Sequence, residues 1–485
     1  MKKTLTLALC ATALIACEKK EYCSNDPNAA PDASTCYAVQ DYGRTYKHFF
    51  QPKNAWVGDP MPFYDNGKFH IFYLYDQRPA PATFHPWYSA TTTDLVNYTD
   101  NGEAIACGAD GSHEDALGTG SVFKDGNTYY AFYTGHNGDL DPKEIIYWAT
   151  STDLKTWTKD TQHSFRAPDK YDRNEFRDPI VFKEGNAYKM LLSTRADIGS
   201  GVWKGVVAQF TSTDLKNWTK DPNTPFFYTD PSAFMVECPD VFTQGNYQYL
   251  IFSNIEESVR RVQYRYRRVG DKNWITPAQQ DLDDRVFYAG KTATDGTHRY
   301  IWGWIPTRET FSDGGAYGWG GSLAVHQLVQ NPDGTLNVKM PAAFDSKPAV
   351  STSLGNVTLD NNTRVFGRLN KGFNKIATKI KANTATQFGL IFGACGSQLE
   401  TYQINLNLTE GQLQLNRVLK GGATTTIQQA KLPISTSKEY EVKVVQEGSA
   451  AVVYINNTTA FSFRSYRMNQ NSWGIFANGT ANFQF

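Results

Sequence analysis

A nine-residue phrase recurs along the first half of this chain at a spacing of about 60 residues. Ala90–Tyr98, Ala149–Trp157 and Phe210–Trp218 each carry Thr, Ser or Thr, Thr, Asp and Leu in that order and close on an aromatic residue. A second phrase keeps the same period: Phe63, Phe123, Phe182 and Phe242 each lead into a short glycine turn, as in Phe182-Lys-Glu-Gly-Asn. Between the phrases lie alternating aromatic runs such as Phe69–Tyr75 and Thr128–Thr134, which read as strands. The unit is therefore one antiparallel sheet of about four strands. Sheets repeated at this spacing predict blades around an axis. Three complete units, a fourth from Phe242 and a fifth around Tyr300–Ile305 predict a five-bladed β-propeller over residues 38–344. A linear stack of sheets is disfavoured, because acids precede the hairpin phrase and so fall on the strand that lines a propeller axis.

Near residues 341–352 the aromatic repeat stops. Short alternating strands follow, among them Lys375–Lys381, Tyr402–Leu408, Tyr440–Val445 and Ala450–Ile455, and they predict an antiparallel β-sandwich over 345–485. The whole chain is thus expected to be all-β. With 48 basic and 48 acidic residues it carries no net charge that would draw nucleic acid or an anionic membrane to the folded body.

The first sixteen residues have a charged start and an apolar run from Leu5 to Ile15, the pattern of a secretory signal too short to be a membrane span. Leu14-Ile15-Ala16-Cys17 resembles a bacterial lipobox, which makes Cys17 the expected lipid anchor and 17–37 a flexible tether. The expected location is the outer membrane or cell surface of a Gram-negative bacterium, with the lipid as the only membrane contact. Cys23 and Cys36 are spaced for a small loop. Cys238 has no histidine near it in sequence and reads as a buried packing residue.

Three carboxylates recur at nearly the same phase of the repeat: Asp59 before Pro60, Asp178 before Pro179, and Glu237 in Val236-Glu237-Cys238-Pro239-Asp240. Each is followed four or five residues later by the aromatic that opens the hairpin phrase. Strands in register would aim them at a common centre, as glycosidic bond cleavage by paired acids requires. Asp94, Asp153 and Asp214 recur just as regularly, but Ser-Thr-Asp-Leu sequences are turn formers, and these three read as turn acids. Trp56, Trp87 and Trp319 are candidates to stack on sugar faces, with Ser121 and Arg177 as polar pocket residues. Arg177, beside Asp178, is expected to keep that acid ionised. His113-Glu114-Asp115 has no matching histidine elsewhere and reads as a polar loop at the pocket rim. No metal and no cofactor are expected.

Trp56-Val-Gly-Asp59-Pro60, Trp87-Tyr-Ser-Ala, Gly118-Thr-Gly-Ser121, Arg177-Asp178-Pro179, Glu237-Cys238 and Ile301-Trp-Gly-Trp304, in that order, together resemble glycoside hydrolase family 32. The resemblance implies a five-bladed propeller with a funnel-shaped axial pocket and hydrolysis of fructofuranosyl linkages with retention. It also implies roles: Asp59 as nucleophile, Glu237 as acid/base and Asp178 as transition-state stabiliser, acting on an oligo- or polysaccharide. Three positions depart from the family pattern. Gly58 and Met61 stand where amides usually flank the nucleophile, and Leu74 stands where glutamine is usual, so sugar preference is less constrained than chemistry. Two further readings stay open: an inverting propeller glycosidase acting on arabinofuranosides or xylosides, and a surface glycan binder without catalysis.

Overall fold

The computed structural model describes residues 46–77, 85–256, 260–394, 401–419, 422–466 and 472–485. Cys17, the tether and the Cys23–Cys36 pair lie outside these residues. The architecture is the expected one, a five-bladed β-propeller followed by a β-sandwich. The innermost strands of the blades are Ala55–Asp65, Ala116–Asp125, Tyr171–Glu184, Val236–Gln244 and Tyr288–Thr294, each paired antiparallel with the next strand in sequence. The ring closes where Val57 of the first blade pairs with Gly321 of the fifth, joining those two blades into one eight-stranded sheet.

Each innermost strand is broken at the same place by a β-bulge. Asp59-Pro60, Gly118-Thr119, Asp178-Pro179, Cys238-Pro239 and Ala289-Gly290 are pairs that face a single residue on the neighbouring strand. Proline has no N–H to give a ladder, so inside a sheet it belongs at a bulge. Four of the five first bulge residues adopt a positive φ: Asp59 at 30°, Asp178 at 61°, Cys238 at 52° and Ala289 at 54°. The bulge turns each strand sharply and re-aims the side chains at its mouth. Five such turns around one axis build a ring of re-aimed residues.

The repeated turns at the blade rims behave as read. Asp94 Oδ1 accepts the backbone N–H of Val96 and Asn97, and Asp153 and Asp214 accept the corresponding pairs in their own blades. The preceding Thr92, Ser151 or Ser212 hydroxyl accepts the N–H of the leucine, which sits at φ near 60° in all three turns.

Beyond a short helix at Ala342–Asp345, ten strands between Asn356 and Gln484 form one hydrogen-bonded sheet that folds around its own apolar core. One edge of it packs on the propeller. Val445, Ala450, Val452, Tyr454 and Ala460 join the propeller's largest core cluster. The seam also holds buried polar groups with partners across it: Arg464 donates to the carbonyls of Ile305 and Pro306, and Asp283 accepts from Ser462 and faces His326 at 2.9 Å. At the start of the described chain, Glu447 accepts the N–H groups of Lys47, His48 and Phe49, tying the entry segment to the sandwich.

Candidate active site

The acids meet at the bulges. Asp59 and Asp178 occupy the first bulge position of blades one and three, whereas Glu237 stands one residue before the bulge of blade four, with Cys238 in the equivalent position. Their phase is therefore shared only approximately. This offset has a consequence: Glu237 belongs with Arg177 and Tyr288, the residues one step before the bulges of blades three and five. Those three form a chain, with Arg177 Nη2 donating to Glu237 Oε1 at 3.2 Å and Tyr288 Oη donating to Glu237 Oε2 at 2.8 Å.

Neighbouring blades supply the partners of each acid. Thr119 Oγ1 donates to Asp59 Oδ2 at 2.5 Å, the Cys238 N–H to Asp178 Oδ2 at 2.7 Å, and Trp304 Nε1 to Asp59 Oδ1 at 2.9 Å. The first two bonds, like that from Arg177 to Glu237, span 60 residues, one repeat of the chain; the third crosses from blade five to blade one and spans 245. Gly58 is required by what lies above it, since a Cβ there would stand 2.0 Å from the Trp319 ring. Trp319 in turn stacks on His85, at 4.6 Å between ring centres.

Among the described residues no cation touches Asp59. Burial raises its carboxyl above the ordinary range, against the pull of Thr119 and Trp304, and the charge on Glu237 adds to the rise. Burial likewise pushes Asp178 up to about 7, opposed by Arg177 and the Cys238 N–H and reinforced by Glu237 and Asp59. Arg177 thus pulls Asp178 down in the expected direction, but burial outweighs it. Its guanidinium is committed to Glu144 at 3.1 Å, to Glu175 and to Glu237. Glu144, although buried, is held below the usual range by that guanidinium and by the N–H of Phe176.

Comparison with known proteins decides the family. Residues 48–339 match the glycosyl hydrolases family 32 N-terminal domain, and residues 330–482 match the GH32, BT1760-like, C-terminal domain. The chain belongs to glycosyl hydrolase family 32. A sucrose-6-phosphate hydrolase of Zymomonas mobilis is 26% identical over 421 residues, covering 80% of this chain and 79% of that protein. A fructan 1-exohydrolase of Hordeum vulgare is 29% identical over 334 residues, covering 63% and 53%. Among solved structures, an exo-inulinase from Aspergillus awamori superposes with a TM-score of 0.70 at 17% identity, over 93% of this chain and 99% of that one. That likeness shows the shared fold.

Within this family 32 chain, the site differs from the sequence expectation at three positions. Trp87 is fully buried, donates its indole N–H to the Gly118 carbonyl and packs on Phe72 and Tyr133, so it has no face for a sugar. Trp56 is 3% exposed and packs edge-on against Phe311. Ser121 lies beyond the bulge, where its hydroxyl accepts the Val181 N–H of the next blade and lines a cavity at the other end of the axis. Within Gly118-Thr-Gly-Ser121 it is Thr119 that reaches Asp59. Thr119, Tyr288, Trp304 and Glu144 were not picked out in sequence. Aligning the five units would have exposed the first two, which lie at the bulge of blade two and one step before the bulge of blade five. Cys238 contributes its backbone N–H to Asp178, while burial raises its thiol well above the ordinary range and keeps it un-ionised. Glu114 is engaged by Tyr133 and Lys159.

Proposed function

We propose that this family 32 chain is a retaining β-fructofuranosidase acting on fructans or fructo-oligosaccharides, with Asp59, Glu237 and Asp178 in the three roles implied by the family. The observation that carries the reading is the convergence of these carboxyls at the bulges of blades one, four and three, each held by donors from the adjoining blades. In the first step Asp59 attacks the anomeric carbon, the glycosidic C–O bond breaks, and the proton of Glu237 passes to the leaving oxygen. In the second, Glu237 takes a proton from water, the water oxygen bonds to the anomeric carbon from the vacated side, and the bond to Asp59 breaks. Two inversions give net retention. Tyr288 and Arg177 hold Glu237 from its two oxygens, so its carboxyl stays aimed through both proton transfers. Asp178, fixed by the Cys238 N–H, meets the sugar hydroxyls as positive charge develops on the ring.

Relatives named for sucrose-6-phosphate and for fructan place the substrate among fructosides. Purified protein incubated with sucrose, inulin, levan and an arabinofuranoside tests this. Free fructose formed with the retained anomeric configuration is expected from at least one fructoside. Release from the arabinofuranoside alone, or an inverted product, would overturn the reading.

The location is a proposal on the leader sequence: Cys17 is acylated and anchors the enzyme to the outer membrane. Cys17→Ala is expected to move activity from the membrane fraction to the soluble fraction. Unchanged fractionation would refute the anchor.

A further inference from the structure

One buried acid beside the site has no task in the two chemical steps. Glu144 opens the third strand of blade two, Glu144–Ser151, and pairs with His136 of the strand before it. It is 5% exposed, and a carboxylate buried to that extent is costly unless its charge is met. The charge is met from blade three: Glu144 Oε2 accepts the Phe176 N–H at 2.6 Å, and its two oxygens accept from Arg177 Nη1 at 3.1 and 3.2 Å. His136, half-exposed, brings Nδ1 to 3.5 Å from Oε1. Glu144 thus grips both the backbone and the side chain of the Phe176-Arg177 step.

What that grip decides lies at the other end of the guanidinium. Arg177 Nη1 faces Glu144 and Glu175, whereas Nη2 faces Glu237 Oε1 at 3.2 Å and Met235 Sδ at 3.5 Å. A guanidinium is a planar, rigid fork, so fixing one terminal nitrogen fixes where the other points. Of the two anchors on Nη1, Glu175 is the looser: it shares a strand with Arg177, and 28% of its side chain is exposed against 6% for Glu144. Glu144, Arg177, Glu237 and Tyr288 form a chain from blade two to blade five in which every link is a hydrogen bond. The acid/base stands third in that chain, so a loosened first member is felt at the carboxyl that must move a proton.

We propose that Glu144 is a positioning residue for the acid/base: by holding Arg177 from blade two, it keeps the Glu237 carboxyl aimed at the leaving oxygen. The proposal rests on the fructosidase reading and on the part Glu237 plays in it. An acid out of line penalises each substrate according to how much its leaving group needs a proton. Glu144→Gln keeps an acceptor for the Phe176 N–H and gives up the charge that holds Nη1. In the full chain it is expected to lower kcat/KM for sucrose about tenfold, a part of what a general acid supplies, and to leave p-nitrophenyl β-fructofuranoside, whose leaving group departs without a proton, within about twofold of the parent. In the Glu237→Gln background, where no acid is left to aim, the same substitution is expected to cost sucrose nothing further, because residues that act through one another are not additive. Glu144→Asp, which keeps the charge and shortens the reach, should show the same selectivity with a smaller loss. The ratio of the two substrates, unlike a rate, does not depend on how much of a variant is folded, so a purely structural role leaves it unmoved. Equal falls on both fructosides, an undiminished loss in the Glu237→Gln background, or an unaltered rate on sucrose would overturn the positioning role while leaving the hydrolase reading in place. Failure of the unaltered enzyme on both fructosides would overturn the two together.

Discussion

Two sets of three acids run through the propeller at the same period and meet opposite fates. Asp94, Asp153 and Asp214 sit on exposed turns, where each carboxylate accepts two backbone N–H groups from the residues just after it. Asp59, Asp178 and Glu237 sit at or beside bulges on the innermost strands, and their partners come from other blades. Local donors that are always in place lower a carboxyl, whereas burial with few donors and with like charges nearby raises it. Accordingly Asp94 is held below the ordinary range by the N–H groups and side chain of its turn, against the effect of burial, and Asp153 is drawn to about 2. Asp59 and Asp178 go the other way. One triad is structural because its charge is fully satisfied. In the other, Asp59 and Asp178 are buried where the donors do not offset the loss of water.

The largest expected effect is on turnover. Glu237→Gln should cost on the order of 10²–10⁴-fold, the usual share of a general acid, and Asp59→Asn should remove covalent-intermediate formation altogether. A fructoside whose leaving group needs no proton should partly rescue glycosyl-enzyme formation in Glu237→Gln and not in Asp59→Asn. Equal rescue in stopped-flow measurements would exchange or erase the two roles. Asp94→Asn, the control from the other triad, should leave kcat unchanged.

Next comes pH, where the two triads carry opposite signs. The Asp178 carboxyl titrates higher in the folded chain than in the unfolded one, so the folded state binds more protons between pH 3.8 and about 7 and loses stability as pH rises through that window. Asp178→Asn keeps an acceptor for the Cys238 N–H and suits the positive φ. Its melting temperature relative to the parent should therefore climb from pH 4 to pH 8. Asp94 titrates lower when folded, so its contribution is present above pH 3.8 and fades as pH falls through its folded value. Asp94→Ala should destabilise by about 1 kcal/mol at pH 7, with the difference shrinking towards pH 2. Thermal melts across pH that gave both variants the same slope would break the comparison.

The smallest effect concerns the bulge backbone. Ala289 holds φ at 54° with no side-chain group to favour it. Relief of the left-handed penalty by glycine, less glycine's greater entropy loss, predicts that Ala289→Gly stabilises by about 0.5 kcal/mol. Chemical denaturation should detect it, and a destabilised variant would show that these bulges are not strained.

The periodic phrases, the glycine turns and the alternating aromatics made the propeller legible, because each is a property of residues close together in the chain. The turn role of Asp94 was legible for the same reason, since its partners lie within three residues. The three site acids were legible as positions. Their Asp-Pro and Cys-Pro steps could have been read further, because a proline at the same phase inside three strands already announces a bulge. Trp87 and Trp319 could not be told apart by type. One fills the space between blades and the other covers Gly58 at the mouth, a difference made by packing alone.

The sequence alone determined the repeat, the all-β class, the change of texture near residue 345 and the carboxyls available for chemistry. Tertiary structure decided where Arg177 points and that Thr119, Tyr288 and Trp304 hold the acids. The physical reason is the distance along the chain over which each is settled. A turn closes within a few residues, whereas the bonds that define the site span 51, 60 and 245 residues and exist only once the ring of blades has closed.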